Sequence, residues 1–411
     1  MLRKVKIKLS QIRGFFLLLA LGIVFFAGGY QYALERGTGS RGLVKQFLTD
    51  PREGQVAGAD FAKFWEVWKR LEQSYVDESA LDYQEMTYGS IQGLAQSLGD
   101  PYTQYLPPSD NKRSREDLNG SFYGVGIELG YKDRILAVVA PLEGGPAKRL
   151  GVRAGDLILH IKDESKGLDI DTAGMSLSEA VEAIRGEKGR EVVLTILHEG
   201  EESPVEIAIA REEIVVPSVE LEQIVKGEKK IAHLKLHRFG GRTDSEWEEK
   251  IAEIVAGDVD GVILDLRNNP GGYLDGSVYI ASEFLRSGVV VKQEGRSETE
   301  TYSVDRVGRL LDVPLVVLVN GGSASASEIT AGAIQDHGRG KLVGETTFGK
   351  GTVQEVQELS DGSSLHVTIA KWLLPGGRWI GDGGVKPDVG VADDPETAEV
   401  DEQVEAALGL F

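Results

Sequence analysis

Three glycine-rich turns carry the residues best suited to chemistry: RNNPGG (267–272), NGGSASASE (320–328) and TFGKGTVQ (347–354). In the second, a strand-like apolar run ends at Val319, two glycines follow, and a serine cluster stands where a helix begins. Backbone N–H groups at a helix N-terminus lack partners and carry partial positive charge, so a hydroxyl there lies beside a natural oxyanion site. The same serines would also serve as plain helix caps. In the third turn Lys350 stands between Gly349 and Gly351. A lysine withdrawn from water loses its preference for the charged form and can take a proton from a serine. An exposed loop lysine is the competing interpretation. Lys350 and Gln354 are four apart, which on a strand puts both on one side, so Gln354 is expected to hold the amine by a hydrogen bond.

Other chemistries lose ground on the same residues. GETTFGKG (344–351) fits a phosphate-loop spacing, yet Gly351 has no hydroxyl for a magnesium ion and TVQEVQEL reads as a strand where a helix is required. Histidine is the commoner base for a serine, but none of His160, His198, His233, His237, His337 and His366 lies in a glycine-rich turn. His337 is at the far end of the helix that starts near Ser325, roughly 18 Å away. His366 is not excluded by spacing. No H-E-x-x-H pattern occurs, which argues against a metalloprotease. The absence of cysteine excludes a thiol nucleophile and a Cys-ligated zinc.

The elements that must position these turns follow an α/β rhythm over residues 214–395: GVILDL, PLVVLVN and KLVGE as strands, LDGSVYIASEFL and ASEITAGAIQDH as helices. VDEQVEAALGL, within 396–411, reads as a short acidic amphipathic helix. Upstream, Asp60 is a plausible N-cap for a helix bearing Phe61, Phe64, Trp65, Trp68 and Leu71 at spacings of three and four. Residues 60–110 are therefore expected to form a helical segment, preceded by a linker at 31–59. At the N-terminus, Lys4, Lys6, Lys8 and Arg13 precede an apolar run of about 16 residues, the pattern of a signal anchor over 1–30. The charge bias then places the remainder on the extracytoplasmic side of a cytoplasmic membrane, in a single-pass arrangement. A net charge of −20 over 411 residues argues against a nucleic-acid partner.

Residues 111–213 hold many short strands (FYGVGIEL, RILAVVA, EVVLTIL, VEIAIAR) and one amphipathic helix, SLSEAVEAIRG. This order, most clearly GPAKRLGVRAGDLIL, resembles a PDZ domain. Within it, Gly124, Val125, Gly126 and Ile127 form a loop whose N–H groups are free to converge on a terminal carboxylate, next to a strand edge that accepts an extended peptide.

From about residue 60 onward the chain resembles the carboxyl-terminal processing peptidases, the tail-specific proteases. The landmarks are FWEVWKRLEQSYVD, SLGDPYTQYLPP, the PDZ-like module, ILDLRNNPGG, NGGSASASE, VGETTFGKGTVQ and GGVKPDV, in family order. The resemblance implies an α/β protease core of the crotonase/ClpP-like kind with an inserted PDZ domain. It implies a serine–lysine dyad of Ser325 as nucleophile and Lys350 as base, with Gln354 beside them. The oxyanion donors it implies are the N–H groups of Gly271 and Ala326, with no cofactor or metal. It further implies unfolded or tagged protein C-terminal tails as substrates, a homodimer, and control by the PDZ module in which Arg185 takes part. The alternative is an anchored PDZ adaptor that binds tails without cutting them.

Overall fold

The computed structural model describes residues 61–392 and 400–411, in two compact units. The signal-anchor, linker and Asp60 expectations lie outside the described residues. In the first unit, α1 (Ala62–Ser74) buries none of its side chains. Its aromatic residues meet one another edge to face: Phe64 meets Trp65 at 5.1 Å, and Trp65 meets Trp68 at 6.0 Å. The expected aromatic stripe is present as a largely exposed cluster. Among the described residues no helix is long and apolar enough to cross a membrane.

In the second unit, α2 (Tyr83–Gln96) and β1 (Gln104–Leu106) lead to α3 (Pro108–Asn119), which the Gly120 turn ends in a left-handed conformation (φ 69°). The 111 boundary expected for the PDZ-like module therefore falls inside a helix. FYGVGIEL, expected as one interrupted strand, divides into β2 (Ser121–Gly124) and β3 (Ile127–Lys132), which belong to different sheets. The break is at Gly126, whose φ of 71° suits a residue without a Cβ. The module continues through β4 (Ile135–Pro141), α4 (Pro146–Arg149), β5 (Leu157–Asp163), β6 (Leu168–Asp171), α5 (Leu177–Ile184), β7 (Glu191–Leu197) and β8 (Val205–Ala210). Its sheet runs β3-β4-β5-β7-β8, with β6 on β5. A capping box between Ser176 and Glu179 starts α5. The module's own core contains Leu136, Ile158, Ile161, Ala180, Leu194 and Ile209. β9 (Glu212–Val215) returns to pair with β2.

The larger core is built on a six-stranded sheet. Its strands are β10 (Val219–Lys226), β11 (Lys229–Leu236) and, after α6 (Thr243–Ala256), β12 (Gly261–Asp265). Then follow α7 (Leu274–Phe284), β13 (Val289–Gly295), β14 (Thr299–Ser303), β15 (Leu315–Val319), α8 (Ala326–Asp336) and β16 (Lys341–Gly344). The chain closes with β17 (Thr352–Glu358), β18 (Ser364–Leu373), β19 (Val389–Gly390) and α9 (Glu402–Leu408). The order is β10-β11-β12-β15-β16-β19, parallel from β11 onward. Alternate residues of these strands enter two different cores, as the period of two requires. Leu234, Leu264, Val317 and Leu342 face the helical layer, where Trp247 and Phe284 pack. Ile231, Ile263, Val316, Leu318 and Val343 face the other way and are covered by Ala407 and Leu408 of α9. A second sheet, β1-β18-β13-β14, carries the β17–β18 hairpin.

Candidate active site

β12, β15 and β16 are consecutive neighbours running in one direction. Their carboxyl ends are therefore side by side, and each is followed by one of the three glycine-rich turns. Segments separated by 25 to 79 residues, from Ser325–Lys350 to Gly271–Lys350, meet for that reason alone. The carboxyl edge of a parallel sheet is where such folds place their ligands.

Ser325 occupies the last position before α8 with φ 55° and ψ −114°, a strained conformation for a residue with a side chain. It is half-buried, and Ala324 and Ala326 on either side are buried. The turn is held from below. Ser323 Oγ donates to the Leu266 carbonyl at 2.7 Å, Ser327 Oγ donates to the Asn269 carbonyl at 2.9 Å, and Asn320 Oδ1 accepts from the Asn268 N–H at 2.9 Å. These bonds lock the Ser325 turn onto RNNPGG and the residue before it. Gly271 lies closest: a Cβ there would come within 2.8 Å of Ser325 Cβ and 3.0 Å of Ala326 N.

The third turn is attached through Glu328, which is fully buried in the first turn of α8. One carboxylate oxygen accepts from Ser325 N–H and Lys350 N–H, both at 2.9 Å. The other accepts from Thr347 Oγ1 at 2.5 Å and Gly349 N–H at 2.7 Å. Burial pushes the Glu328 carboxyl above its usual range, and the Thr347 hydroxyl with the three backbone donors works against that rise. The residue is visible in the sequence as the acid three places after Ser325, a capping-box spacing. Only the fold discloses that its partners come from two turns.

Lys350 is half-buried. Burial holds its ammonium below the usual lysine range, and the negative charge of Glu328 partly offsets this. Its Nζ stands 5.5 Å from the centre of the Tyr102 ring. No hydrogen bond joins Lys350 Nζ to Ser325 Oγ among the described residues. Gln354 departs from expectation as well. Its amide donates to Thr352 Oγ1 at 2.8 Å and Thr368 Oγ1 at 3.2 Å, not to the amine. The even-spacing inference required Lys350 and Gln354 on one regular strand, but β17 starts only at Thr352 and its register shifts between Val353 and Gln354.

The two implied oxyanion donors are in different states. Ala326 N–H has no hydrogen-bond partner among the described residues, as expected at the first position of a helix. Gly271 N–H donates to Asn269 Oδ1 at 2.9 Å, and the buried Asn269 is fixed in turn by donating to the Leu236 carbonyl at 2.7 Å.

The histidines are engaged elsewhere. His366 Nε2 is 3.2 Å from Ser364 Oγ, and His337 Nε2 is 2.8 Å from the Val289 carbonyl. Contrary to the expectation that no H-x-x-x-H pattern occurs, His233 and His237 stand four apart, a metal-ligand spacing on a helix. Here β11 carries His233 to Asp265 at 3.0 Å, while His237 Nε2 lies 3.3 Å from Glu220. Asp265 also receives Arg267 at 2.7 Å, and Arg267 reaches on to Asp401 at 2.8 Å, fastening the end of the chain to the RNNPGG turn. Burial raises the Asp265 carboxyl, but the bonds from His233 and Arg267 outweigh it and hold the group at about 2.

In the PDZ-like module, β3 is an edge strand, paired on one side only. In the loop before it, the N–H groups of Val125 and Gly126 make no hydrogen bond among the described residues, and the Gly126 carbonyl accepts from Leu142 N–H at 2.9 Å. Arg185, at the end of α5, stacks over the Phe122 ring at 3.9 Å and lies 3.6 Å from Glu116 of α3. From the same helix, Asn111 donates to Glu358 at 3.0 Å and to the Gly362 carbonyl at 2.9 Å, both on the β17–β18 hairpin.

Comparison with known proteins adds the following. Residues 230–391 match the peptidase family S41 model, residues 137–197 a PDZ domain, and residues 23–109 the N-terminal domain of the activating protease CtpB. A "Probable CtpA-like serine protease" of Staphylococcus aureus is 37% identical over 334 residues, covering 80% of this chain. The chain spans 64% of that relative's length. A "Carboxy-terminal-processing protease" of Bartonella bacilliformis is 35% identical over 353 residues, 84% of this chain and 78% of its own. A solved S41 protease structure from Bacteroides fragilis aligns with a TM-score of 0.52 at 17% identity, over 83% of this chain and 95% of that one, which speaks to the fold alone.

Proposed function

The chain belongs to the carboxyl-terminal processing peptidases of family S41, and from that premise we propose that it is a serine endopeptidase acting on proteins presented by their C-terminal tails. The observation that carries this is the Glu328 bridge, which ties the strained Ser325 turn to the turn of a lysine whose ammonium is disfavoured by burial.

Neutral Lys350 takes the proton of Ser325 Oγ as the oxygen attacks the scissile carbonyl carbon. Charge developing on the carbonyl oxygen is met by Ala326 N–H and, once released from Asn269, by Gly271 N–H. Such a donor is worth about 3–4 kcal/mol. As the C–N bond breaks, the Lys350 ammonium returns its proton to the leaving amine, leaving an acyl ester on Ser325. Water then attacks the ester with Lys350 again as base, freeing the new carboxyl terminus and restoring the serine. Gln354, bonded to Thr352 and Thr368, steadies the strand that follows the base turn.

The tail is read by the PDZ-like module. The free N–H groups of Val125 and Gly126, with Gly124 and Ile127 on either side, receive the terminal carboxylate, and the peptide adds as a strand to the open edge of β3. Arg185 links that module to α3, and α3 grips the far turn of the hairpin that follows Lys350, which gives the module a physical route to the site. Residues 1–30 tether the enzyme to the cytoplasmic membrane with the catalytic domain on the envelope side, and the exposed aromatic face of α1 meets a second copy in a homodimer. No cofactor enters this scheme.

The adaptor alternative predicts peptide binding without turnover. Incubating residues 31–411 with an unfolded protein that has an apolar C-terminus, beside the Ser325→Ala variant, separates the two by mass spectrometry. New fragments are expected only from the wild type, and equal fragment patterns would sink the dyad assignment.

A further inference from the structure

The segment between α2 and β1 takes part in neither the dyad nor the oxyanion turn, yet it is built against the Lys350 turn. Asp100 organises it. One carboxylate oxygen accepts from Tyr102 N–H at 3.0 Å and the other from Thr103 Oγ1 at 2.7 Å. Thr103 is buried, and its hydroxyl oxygen accepts from the N–H of Thr368 at 3.1 Å. Thr368 is the β18 residue paired with Gln354, and Gln354 donates to its hydroxyl. On this edge of β18, β1 pairs with residues 364–366 and β13 with residues 370–373. The 100–103 segment fastens onto the stretch between them, and Thr103 is its bolt.

That attachment brings the half-buried Tyr102 ring to 5.5 Å from Lys350 Nζ, inside the range at which a ring face attracts an ammonium group. The ring is also near Glu328. Burial, with the charges of Glu328 and Asp100, pushes the Tyr102 phenol up. Besides the Tyr102 ring, the charges that act on the amine are those of Glu328 on α8 and of His366 on β18, whose imidazole is held below its usual range by burial and the Lys350 charge.

We propose that Tyr102 is a positioning residue for Lys350, its ring face holding the amine beside the Glu328 bridge. A lysine side chain has four rotatable bonds, and no hydrogen bond fixes this one among the described residues. The ring supplies a directional contact that a loop lysine would otherwise lack, while still allowing the amine to leave for the serine proton. The proposal rests on Lys350 serving as the base.

Two measurements test it. In the Ser325→Ala background, the pH midpoint for acylation of Lys350 by acetic anhydride is followed by peptide mass spectrometry. With Ser325 present, kcat and KM are followed from pH 5 to 10. Tyr102→Leu keeps an apolar side chain but removes the ring, so the midpoint is expected to fall by roughly half a pH unit, the size of one such contact. The acidic limb of kcat should move with it and kcat should drop several-fold at nearly constant KM. Tyr102→Phe, which keeps the ring face, should restore the wild-type midpoint and limb. Tyr102→Met replaces the leucine variant if that one fails to fold. If Lys350→Ala still cleaves, the base assignment fails, and the labelling midpoint still reports on Tyr102. If the wild-type limb follows Lys350 but neither the leucine nor the methionine variant shifts the midpoint, the inference is overturned.

Discussion

Replacing Glu328 by glutamine changes one atom and should disable the site. The carboxylate accepts four hydrogen bonds, two per oxygen, and every donor is directed at it from a buried or half-buried turn. A glutamine keeps the shape but has one acceptor oxygen, so its NH2 must face either Ser325 and Lys350 or Thr347 and Gly349. Two donors then lose an acceptor and meet another donor. Bonds to a charged acceptor are worth about 1.5–3 kcal/mol each, so the loss is about 3 kcal/mol at the low end. The Ser325 turn feels it directly. Its backbone conformation stores about 1–3 kcal/mol of strain, and the bond from its own N–H is one of the contacts that offsets it. If the turn relaxes in proportion, kcat/KM falls at least a hundredfold, since 1.4 kcal/mol is a factor of ten. Urea unfolding should show a loss of similar size, leaving the protein folded within the usual 5–15 kcal/mol margin. A second readout has a definite sign. The Glu328 charge favours the Lys350 ammonium, so removing it lets the amine lose its proton at lower pH, and the acidic limb of the residual activity shifts downward. The assay is cleavage of a quenched-fluorescence unfolded substrate from pH 5 to 9, with urea melts in parallel. A variant within threefold of wild type, melting within 0.5 kcal/mol of it, would refute the bridge as an organising element.

Other consequences follow from the same geometry. Gly271→Ala must place a Cβ 2.7 Å from the Ala324 carbonyl oxygen and 2.8 Å from Ser325 Cβ, at φ 101°. Activity should fall a hundredfold or more for about 1–3 kcal/mol of lost stability, and a crystal structure with Ser325 unmoved would contradict the steric reason. Asp265 is depressed to about 2 from an ordinary 3.8, so its contribution is full above pH 5 and vanishes as the pH falls through about 2. That contribution is about 2 kcal/mol, and the stability gap between wild type and Asp265→Asn should shrink by this much between pH 6 and pH 2. A gap unchanged across that interval in urea melts would count against the His233 and Arg267 bonds as its source.

Local rules in the sequence determined a good deal. Turn chemistry located the three glycine-rich segments, because positive φ and close backbone approach demand residues without a Cβ, as at Gly271 and Gly349. Period and capping placed α5 and α8, and the alternating runs of β7 and β8 marked the module's closing strands. These signals operate over a few residues, so a few residues suffice to read them. What lay beyond reach depends on which strands become neighbours. The side-by-side placement of β12, β15 and β16 is a property of the sheet, decided by burial of both its faces. From it come the meeting of Ser325, Gly271 and Lys350 and the sharing of one Glu328 carboxylate by two turns; the seat of Tyr102 comes from the other sheet, where Thr103 fastens to Thr368 of β18. The same limit explains Gln354, whose four-residue spacing from Lys350 assumed an unbroken strand. The bulge that turns its amide to Thr352 and Thr368 arises from pairing with β18. Likewise, no pattern in RNNPGG announces that the Gly271 N–H is held by Asn269, since that bond forms only when the Leu236 carbonyl fixes the asparagine from a strand 33 residues away. Sequence set the chemical groups and their local backbone; tertiary packing alone set the distances between them, because hydrogen bonds and desolvation act on atoms that the chain brings together only when its core closes.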